Sequence, residues 1–136
     1  MIREFSLPLK VYIEDTDAGG IVYHVNYLKF MERSRTEFIT QLGYDKPATI
    51  EGGMLLVVHS MAINFLQPAK LGELLLATTE TKKLARSYVV FDQAVKREDN
   101  VLCSAEVKVA CVSQANMKPT AMPAALRDAL LQSLEH

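Results

Sequence analysis

The chain has 136 residues and a mass of 15.2 kDa, the size of one domain around one core, and with 49% hydrophobic and 23% charged residues no stretch is too polar to fold. Fifteen Lys and Arg against sixteen Asp and Glu leave a net charge of -1, which excludes the broad basic field that nucleic-acid or anionic-membrane binding needs; an anionic ligand must be met by a local basic cluster. The start, Met1-Ile2-Arg3-Glu4, opens no apolar signal core, and no run nears the roughly 20 apolar residues of a membrane span, so the cytoplasm is the expected compartment.

Residues 5–16 begin as a half-buried strand, with Phe5, Leu7, Leu9, Val11 and Ile13 on alternate positions. The strand runs into Glu14-Asp15-Thr16-Asp17 and then Ala18-Gly19-Gly20, a turn whose glycines permit positive φ and close backbone approach. Asn26 is placed to cap a helix over residues 27–42, with Tyr27, Met31, Phe38 and Leu42 as its apolar stripe, Glu32, Arg33, Arg35, Thr36 and Glu37 on the remaining surface, and Gly43 at the left-handed C-terminal cap.

From residue 54 the pattern becomes β-rich: runs over 54–66, 73–83, 87–97 and 101–112 are separated by short breaks with turn chemistry, which predicts an antiparallel meander. Cys103 and Cys111 lie eight apart on one such run, about 26 Å along a strand, too far for a mutual disulfide, and read as buried structural thiols. Lys118-Pro119-Thr120-Ala121-Met122-Pro123 interrupts the chain before a short helix over 124–134, marked by Leu126, Leu130 and Leu134. The order is strand, long helix, four strands, short helix: an α+β arrangement of one long central helix wrapped by a five-stranded antiparallel sheet, filling a single domain over 1–133. Leu134-Glu135-His136 reads as an affinity-tag remnant, and His136 carries no functional weight.

The run Tyr12-Ile13-Glu14-Asp15-Thr16-Asp17-Ala18-Gly19-Gly20-Ile21-Val22-Tyr23-His24-Val25-Asn26-Tyr27, followed by Phe30-Met31-Glu32-Arg33-Ser34-Arg35, resembles the 4-hydroxybenzoyl-CoA thioesterase family and, more narrowly, its Tol-Pal-associated acyl-CoA thioesterase (YbgC-type) branch. Phe65-Leu66-Gln67-Pro68-Ala69-Lys70-Leu71-Gly72-Glu73 and Met117-Lys118-Pro119 match the same branch, so the resemblance covers nearly the whole chain. It implies a hot-dog fold that pairs edge to edge as a homodimer or homotetramer with the site between subunits. It also implies hydrolysis of an acyl-CoA or acyl carrier protein thioester, with CoA present only as part of the substrate and no metal or separate cofactor.

Thioester hydrolysis needs a carboxylate to attack the carbonyl or activate water, and donors to hold the developing oxyanion. Asp17 in the motif position is the expected nucleophile or general base, although a turn aspartate bonding its own backbone has the same residue type. His24, through backbone N–H or imidazole, is the expected carbonyl partner; Gly19, Gly20, Tyr23, Asn26 and His59 are the expected substrate or oxyanion contacts, with His59 read as a buried, hydrogen-bonded strand histidine. Asp15 reads as a structural acceptor supporting Asp17, and Lys82, Lys83 and Arg86 around the 84–86 turn are the candidates for CoA phosphates. Where some family members carry a tyrosine four residues before the aspartate this chain has Ile13, which speaks against tyrosine assistance. A hot-dog dehydratase is disfavoured because neither His24 nor His59 opens the His-x4-Gly pattern, and a scaffold for acyl carrier protein or phospholipid-synthesis enzymes with weak or no catalysis is the alternative.

Overall fold

The computed structural model describes residues 4–44 and 49–134. In chain order these form β1 (Glu4–Lys10), a 3-10 turn (Ile13–Asp15), α1 (His24–Gln41), β2 (Thr49–Ile50), a second 3-10 turn (Glu51–Gly53), β3 (Met54–Phe65), β4 (Leu74–Leu84), β5 (Tyr88–Arg97), β6 (Asn100–Ser113) and α2 (Ala124–Leu134). Residues 135 and 136 of the expected tag remnant lie outside the described residues, while Leu134 is the last residue of α2. One antiparallel sheet has the order β1-β4-β5-β6-β3-β2, so the five expected strands are present and the two-residue β2 adds a sixth.

Three expectations are corrected. First, β1 stops at Lys10 because the Tyr12 N–H donates to Asp15 Oδ2 at 2.9 Å and the Asp15 N–H donates to the Tyr12 carbonyl at 2.9 Å, folding the chain into a turn that leaves Ile13 77% exposed. Second, only β4-β5-β6 form a meander; β3 lies beyond β6, and β1 pairs with β4. The β3–β4 connection must therefore cross the end of the sheet, and it does so against α1, with the Tyr27 hydroxyl accepting the Ala69 N–H at 2.9 Å and Ala69 fully buried. Third, α1 begins at His24, three residues earlier than expected.

The buried positions of α1 come in pairs every four residues: Asn26 and Tyr27, Phe30 and Met31, Ser34 and Arg35, Phe38 and Ile39. Phe38 packs between Phe5 and Phe91, with ring centroids 6.2 and 5.9 Å away, and each buried aromatic of this kind contributes roughly 1.5–3 kcal/mol of transfer free energy. Polar contacts set the register of the helix on the sheet. Ser34 Oγ donates to the Ala77 carbonyl at 2.9 Å and lies 2.7 Å from Thr79 Oγ1, and Gln93 Nε2 donates to the Met31 carbonyl at 2.9 Å and to Thr79 Oγ1 at 2.8 Å. Gln93 Oε1 accepts from Arg35 Nη1 at 2.9 Å, so Arg35 is a core residue at 8% exposure and not part of the solvated face. Cys103 and Cys111 are free and buried, as their apolar setting predicts, and burial pushes the Cys103 thiol up to about 11. At the other end of α1, α2 packs on β4 through Leu126 and Leu130, and Ser133 Oγ donates to Thr81 Oγ1 at 2.9 Å.

Candidate active site

Residues 16–22 form a tight hairpin. Thr16 and Val22 bridge, the Asp17 N–H donates to the Ile21 carbonyl at 3.0 Å, and the Gly20 N–H donates back to the Asp17 carbonyl at 3.1 Å. Gly20 has φ +78, the left-handed residue that closes a three-residue hairpin loop, which is why glycine stands there. Asp17 Oδ1 accepts the Gly19 N–H at 2.9 Å, and a Cβ on Gly19 would come within 3.3 Å of that oxygen. The turn-aspartate bond thus exists, and it aims the side chain: one carboxylate oxygen is held by the backbone while the group as a whole remains exposed.

The hairpin is tied to α1 by Asp15. This residue is 3% exposed; its Oδ2 accepts the Tyr12 N–H, its Oδ1 accepts Asn26 Nδ2 at 2.9 Å, and its carbonyl accepts the Tyr23 N–H at 2.9 Å. Asp15 is therefore the structural acceptor expected of it. Asn26 is not the helix cap, because it sits inside the first turn with its amide spent on Asp15. Tyr23 occupies the cap position with no side-chain capping bond, so the first-turn N–H groups of His24 and Val25 have no intrahelical acceptor. They face outward with the positive end of the helix dipole behind them.

Beside this helix end lies an apolar groove of about 350 Å³ between α1 and the end of β3, lined by Ile21, Val22, His24, Tyr27, Phe65 and the Leu66–Pro68 stretch. The His24 ring packs edge-on to Tyr23 and Phe65, with centroids 4.7 and 5.9 Å away, so the imidazole forms part of the groove wall. Phe65 is 48% exposed and Tyr23 46%, an unusual cost for aromatics unless something apolar covers them. Burial raises the Tyr27 hydroxyl above its ordinary value, against the opposing effect of the Ala69 N–H that the oxygen accepts. Asp17 does not itself line the groove; its hairpin adjoins it through Ile21 and Val22. An ion pair, in which Arg97 Nη1 donates to both carboxylate oxygens of Glu73 at 2.9 and 3.1 Å, anchors the crossing loop, and Glu73 Oε1 also accepts the Lys70 N–H at 2.6 Å.

The structure thus brings together Asp17, Gly19, Gly20, Tyr23, His24 and Asn26, and leaves the other candidates elsewhere. His59 is exposed, contrary to the buried reading, because it is the extra residue of a β-bulge between Val58 and Ser60, its Nδ1 lying 3.2 Å from Ser60 Oγ. Six strand residues, about 20 Å, separate it from Phe65. Lys82 pairs with Glu106 at 2.7 Å instead of joining Lys83. Lys83 and Lys108 converge on the Tyr88 ring at 5.6 and 4.1 Å, and the hydrogen bond and charge of Lys83 hold the Tyr88 hydroxyl below its ordinary value. Arg86 is exposed in the turn. Tyr27, Phe65 and the Leu66–Pro68 stretch of the crossing loop wall the groove, and sequence reasoning had treated them only as packing or resemblance.

Residues 19–104 match the sequence profile of the thioesterase superfamily. The chain belongs to the thioesterase superfamily. The matched stretch begins two residues after Asp17, so this membership rests on the body of the domain and not on the carboxylate. The thioesterase is 44% identical to an acyl-CoA thioesterase, YbgC, of Haemophilus influenzae over 88% of both chains. It is 39% identical to an acyl-CoA thioester hydrolase, YbgC, of Escherichia coli over 88% of this chain and 90% of that one. Among solved structures, a probable thioesterase from Bartonella henselae superposes with a TM-score of 0.78 at 32% identity, covering 89% of this chain and 99% of its own, which confirms the hot-dog fold. Among the described residues no cluster of His, Cys and carboxylates is arranged to hold a metal ion, and no helix is long and apolar enough to cross a membrane.

Proposed function

We propose that the thioesterase hydrolyses an acyl-CoA or acyl carrier protein thioester to the free acid and thiol, with Asp17 as the reacting carboxylate and the start of α1 as the oxyanion site. The observation that carries this reading is the juxtaposition of an exposed, backbone-aimed Asp17 with the uncapped N-terminus of α1 at the mouth of an apolar groove. The acyl part lies along Phe65 and Tyr27, and the carbonyl oxygen accepts from the His24 backbone N–H. As charge moves onto that oxygen, the first-turn donors and the helix dipole stabilise it more than they did the ground-state carbonyl. In one route Asp17 attacks the carbonyl carbon, the C–S bond breaks, the thiolate leaves and is protonated, and water hydrolyses the mixed anhydride. In the other, Asp17 takes a proton from water as the water attacks the carbonyl carbon. Collapse of the tetrahedral intermediate then breaks the C–S bond, the thiolate leaving with the proton that Asp17 had taken. The homologues' names support CoA as the thiol carrier.

The phosphates of CoA are met by Lys83 and Arg86. β4 carries the chain about 30 Å from Leu74, at the end of the sheet that holds the Asp17 hairpin, to Lys83, so within one chain these cations stand far from the groove. Among the described residues the outer edge of β3 has a strand partner only at Met54 and Leu55. Antiparallel pairing of two such edges in a homodimer, or in a tetramer built from it, reverses the ends and turns the partner's β4–β5 connection toward this groove. The cytoplasm supplies such substrates and is the proposed compartment. Thiol release from a panel of short, long and aromatic acyl-CoAs and acyl carrier protein thioesters tests the reading; release from none of them contradicts it. Lys83→Ala with Arg86→Ala raises KM several-fold for the preferred acyl-CoA and leaves KM unchanged for the same acyl group on N-acetylcysteamine, which has no phosphates.

A further inference from the structure

The Asp17 hairpin has a second attachment besides the Asp15–Asn26 bond. The Val22 N–H donates to the Ala69 carbonyl at 2.8 Å, the Leu71 N–H donates to the Gly20 carbonyl at 3.2 Å, and Ile21 and Lys70 form an antiparallel bridge between them. Residues 69–71 of the crossing loop therefore lie as a short strand beside the limb that returns from Asp17, and where they sit the hairpin must follow. Gly20 passes that placement on, because its N–H donates to the Asp17 carbonyl at 3.1 Å while its own carbonyl takes the Leu71 N–H.

The turn behind residues 69–71 is closed by Glu73 twice over. Its N–H donates to the Lys70 carbonyl at 3.1 Å, and the Lys70 N–H donates back to its Oε1 at 2.6 Å. A glutamate side chain held at one oxygen alone keeps much of its rotamer freedom. Arg97 removes it: Nη1 donates to Oε1 and Oε2 of Glu73 at 2.9 and 3.1 Å, and it reaches the Pro68 carbonyl at 3.4 Å. Arg97 is the last residue of β5, where it pairs with Asn100 of β6, so the guanidinium is carried by the sheet itself. The Arg97 and Glu73 side chains are 29% and 26% exposed, cover enough for a charge-assisted bond to be worth more than a solvated surface pair.

The groove wall is held differently. The Leu66 and Gln67 N–H groups donate to the Leu102 carbonyl at 2.8 and 3.0 Å, which pins that stretch to β6 without Glu73. Neither Arg97 nor Glu73 is among the residues that wall the groove. The crossing loop thus has two anchors with separate duties, Leu102 for the wall and the Glu73–Arg97 pair for the strand that carries the hairpin.

We propose that Arg97 is a positioning residue for the hydrolysis, acting through Glu73 and residues 69–71 to set where Asp17 stands relative to the start of α1. The inference rests on Asp17 being the reacting carboxylate and adds the path that places it. A reacting group misplaced by about 1 Å loses on the order of a hundredfold in rate, so loosening this attachment lowers kcat by about tenfold and spares binding in the groove.

Steady-state thiol release from the preferred acyl thioester, measured well below each variant's Tm, tests it on the wild type, Arg97→Met, Arg97→Lys, Glu73→Ala and the Arg97→Met, Glu73→Ala double variant. Arg97→Met lowers kcat about tenfold and leaves KM within about twofold. Because a single nitrogen makes both bonds to Glu73, a lysine ammonium can replace it, and Arg97→Lys returns kcat to within about threefold of the wild type. Glu73→Ala lowers kcat at least as far as Arg97→Met, and the double variant falls no further than Glu73→Ala, since the two residues share one path. Should Glu73→Ala fail to fold, Arg97→Met and Arg97→Lys at their part-exposed position still carry the prediction. A kcat for Arg97→Met within about twofold of the wild type, whatever its Tm, overturns the proposal, as does a raised KM with kcat unchanged or a multiplied loss in the double variant. An Asp17→Asn variant as active as the wild type overturns the reading on which the inference rests; an inactive Asp17→Asn beside a fully active Arg97→Met overturns the positioning role alone.

Discussion

Replacing Asn26 by alanine removes the donor to Asp15 Oδ1 and nothing else that the amide bonds. Asp15 is 3% exposed, so water does not replace that donor, and the Tyr12 N–H on the other oxygen remains as its side-chain partner. A stranded buried acceptor costs about 1–3 kcal/mol, with carboxyl groups at the upper end, so about 2–3 kcal/mol is expected here. For a chain of this size each kcal/mol moves Tm by roughly 3–5 °C, so Tm falls by about 6–15 °C. Because the same bond joins the Asp17 hairpin to the first turn of α1, kcat falls with it while the apolar groove, and therefore KM, changes little. Thermal unfolding followed by circular dichroism, on Asn26→Ala, Asp15→Ala and the double variant, gives the coupling. The double variant is less destabilised than the sum of the singles by about 1–2 kcal/mol. A Tm loss under about 2 °C for Asn26→Ala, or strict additivity, refutes the clamp.

The glycines separate conformation from contact. Gly20→Ala meets open space but must hold φ +78, costing about 1–2 kcal/mol and lowering Tm, whereas Gly19→Ala brings a methyl to 3.3 Å from Asp17 Oδ1 and lowers kcat with little loss of Tm; equal effects on both readouts would contradict the assignment. Cys103, with its thiol raised to about 11 from 9.0, is protonated in the folded state where it is already ionising in the unfolded one. Its contribution to stability is intact below pH 9 and is lost as pH rises toward 11, so the fall in unfolding free energy across that window is shallower in Cys103→Ala than in the wild type.

Local pattern made much of this molecule legible. The repeat of Leu126 and Leu130 gives α2 its bounds, the alternation of Phe5, Leu7 and Leu9 gives β1, and the glycine pair marks the hairpin. What stayed hidden depends on bonds between residues distant in sequence. The early end of β1 and the early start of α1 meet at the Asp15–Asn26 bond, eleven residues apart, and neither residue's periodicity announces it. Arg35 reads as surface charge until Gln93, 58 residues later, takes it into the core. Lys82 leaves the basic cluster because Glu106, two strands away, holds it, and His59 is turned outward by a bulge that alternation does not encode. The grouping of Asp17, Gly19, Gly20 and His24 beside the start of α1 was legible from the motif, while the groove against Phe65 required the crossing loop that strand order imposes.

The central claim is that Asp17 carries the hydrolysis, and Asp17→Asn tests it most directly. The substitution keeps the side chain's shape and its acceptor oxygen for the Gly19 N–H, so the hairpin should persist with unchanged circular dichroism and oligomeric state. Measured by thiol release from the preferred acyl thioester, kcat is predicted to fall at least about a hundredfold; a folded Asp17→Asn variant that hydrolyses within about threefold of the wild type would contradict the account.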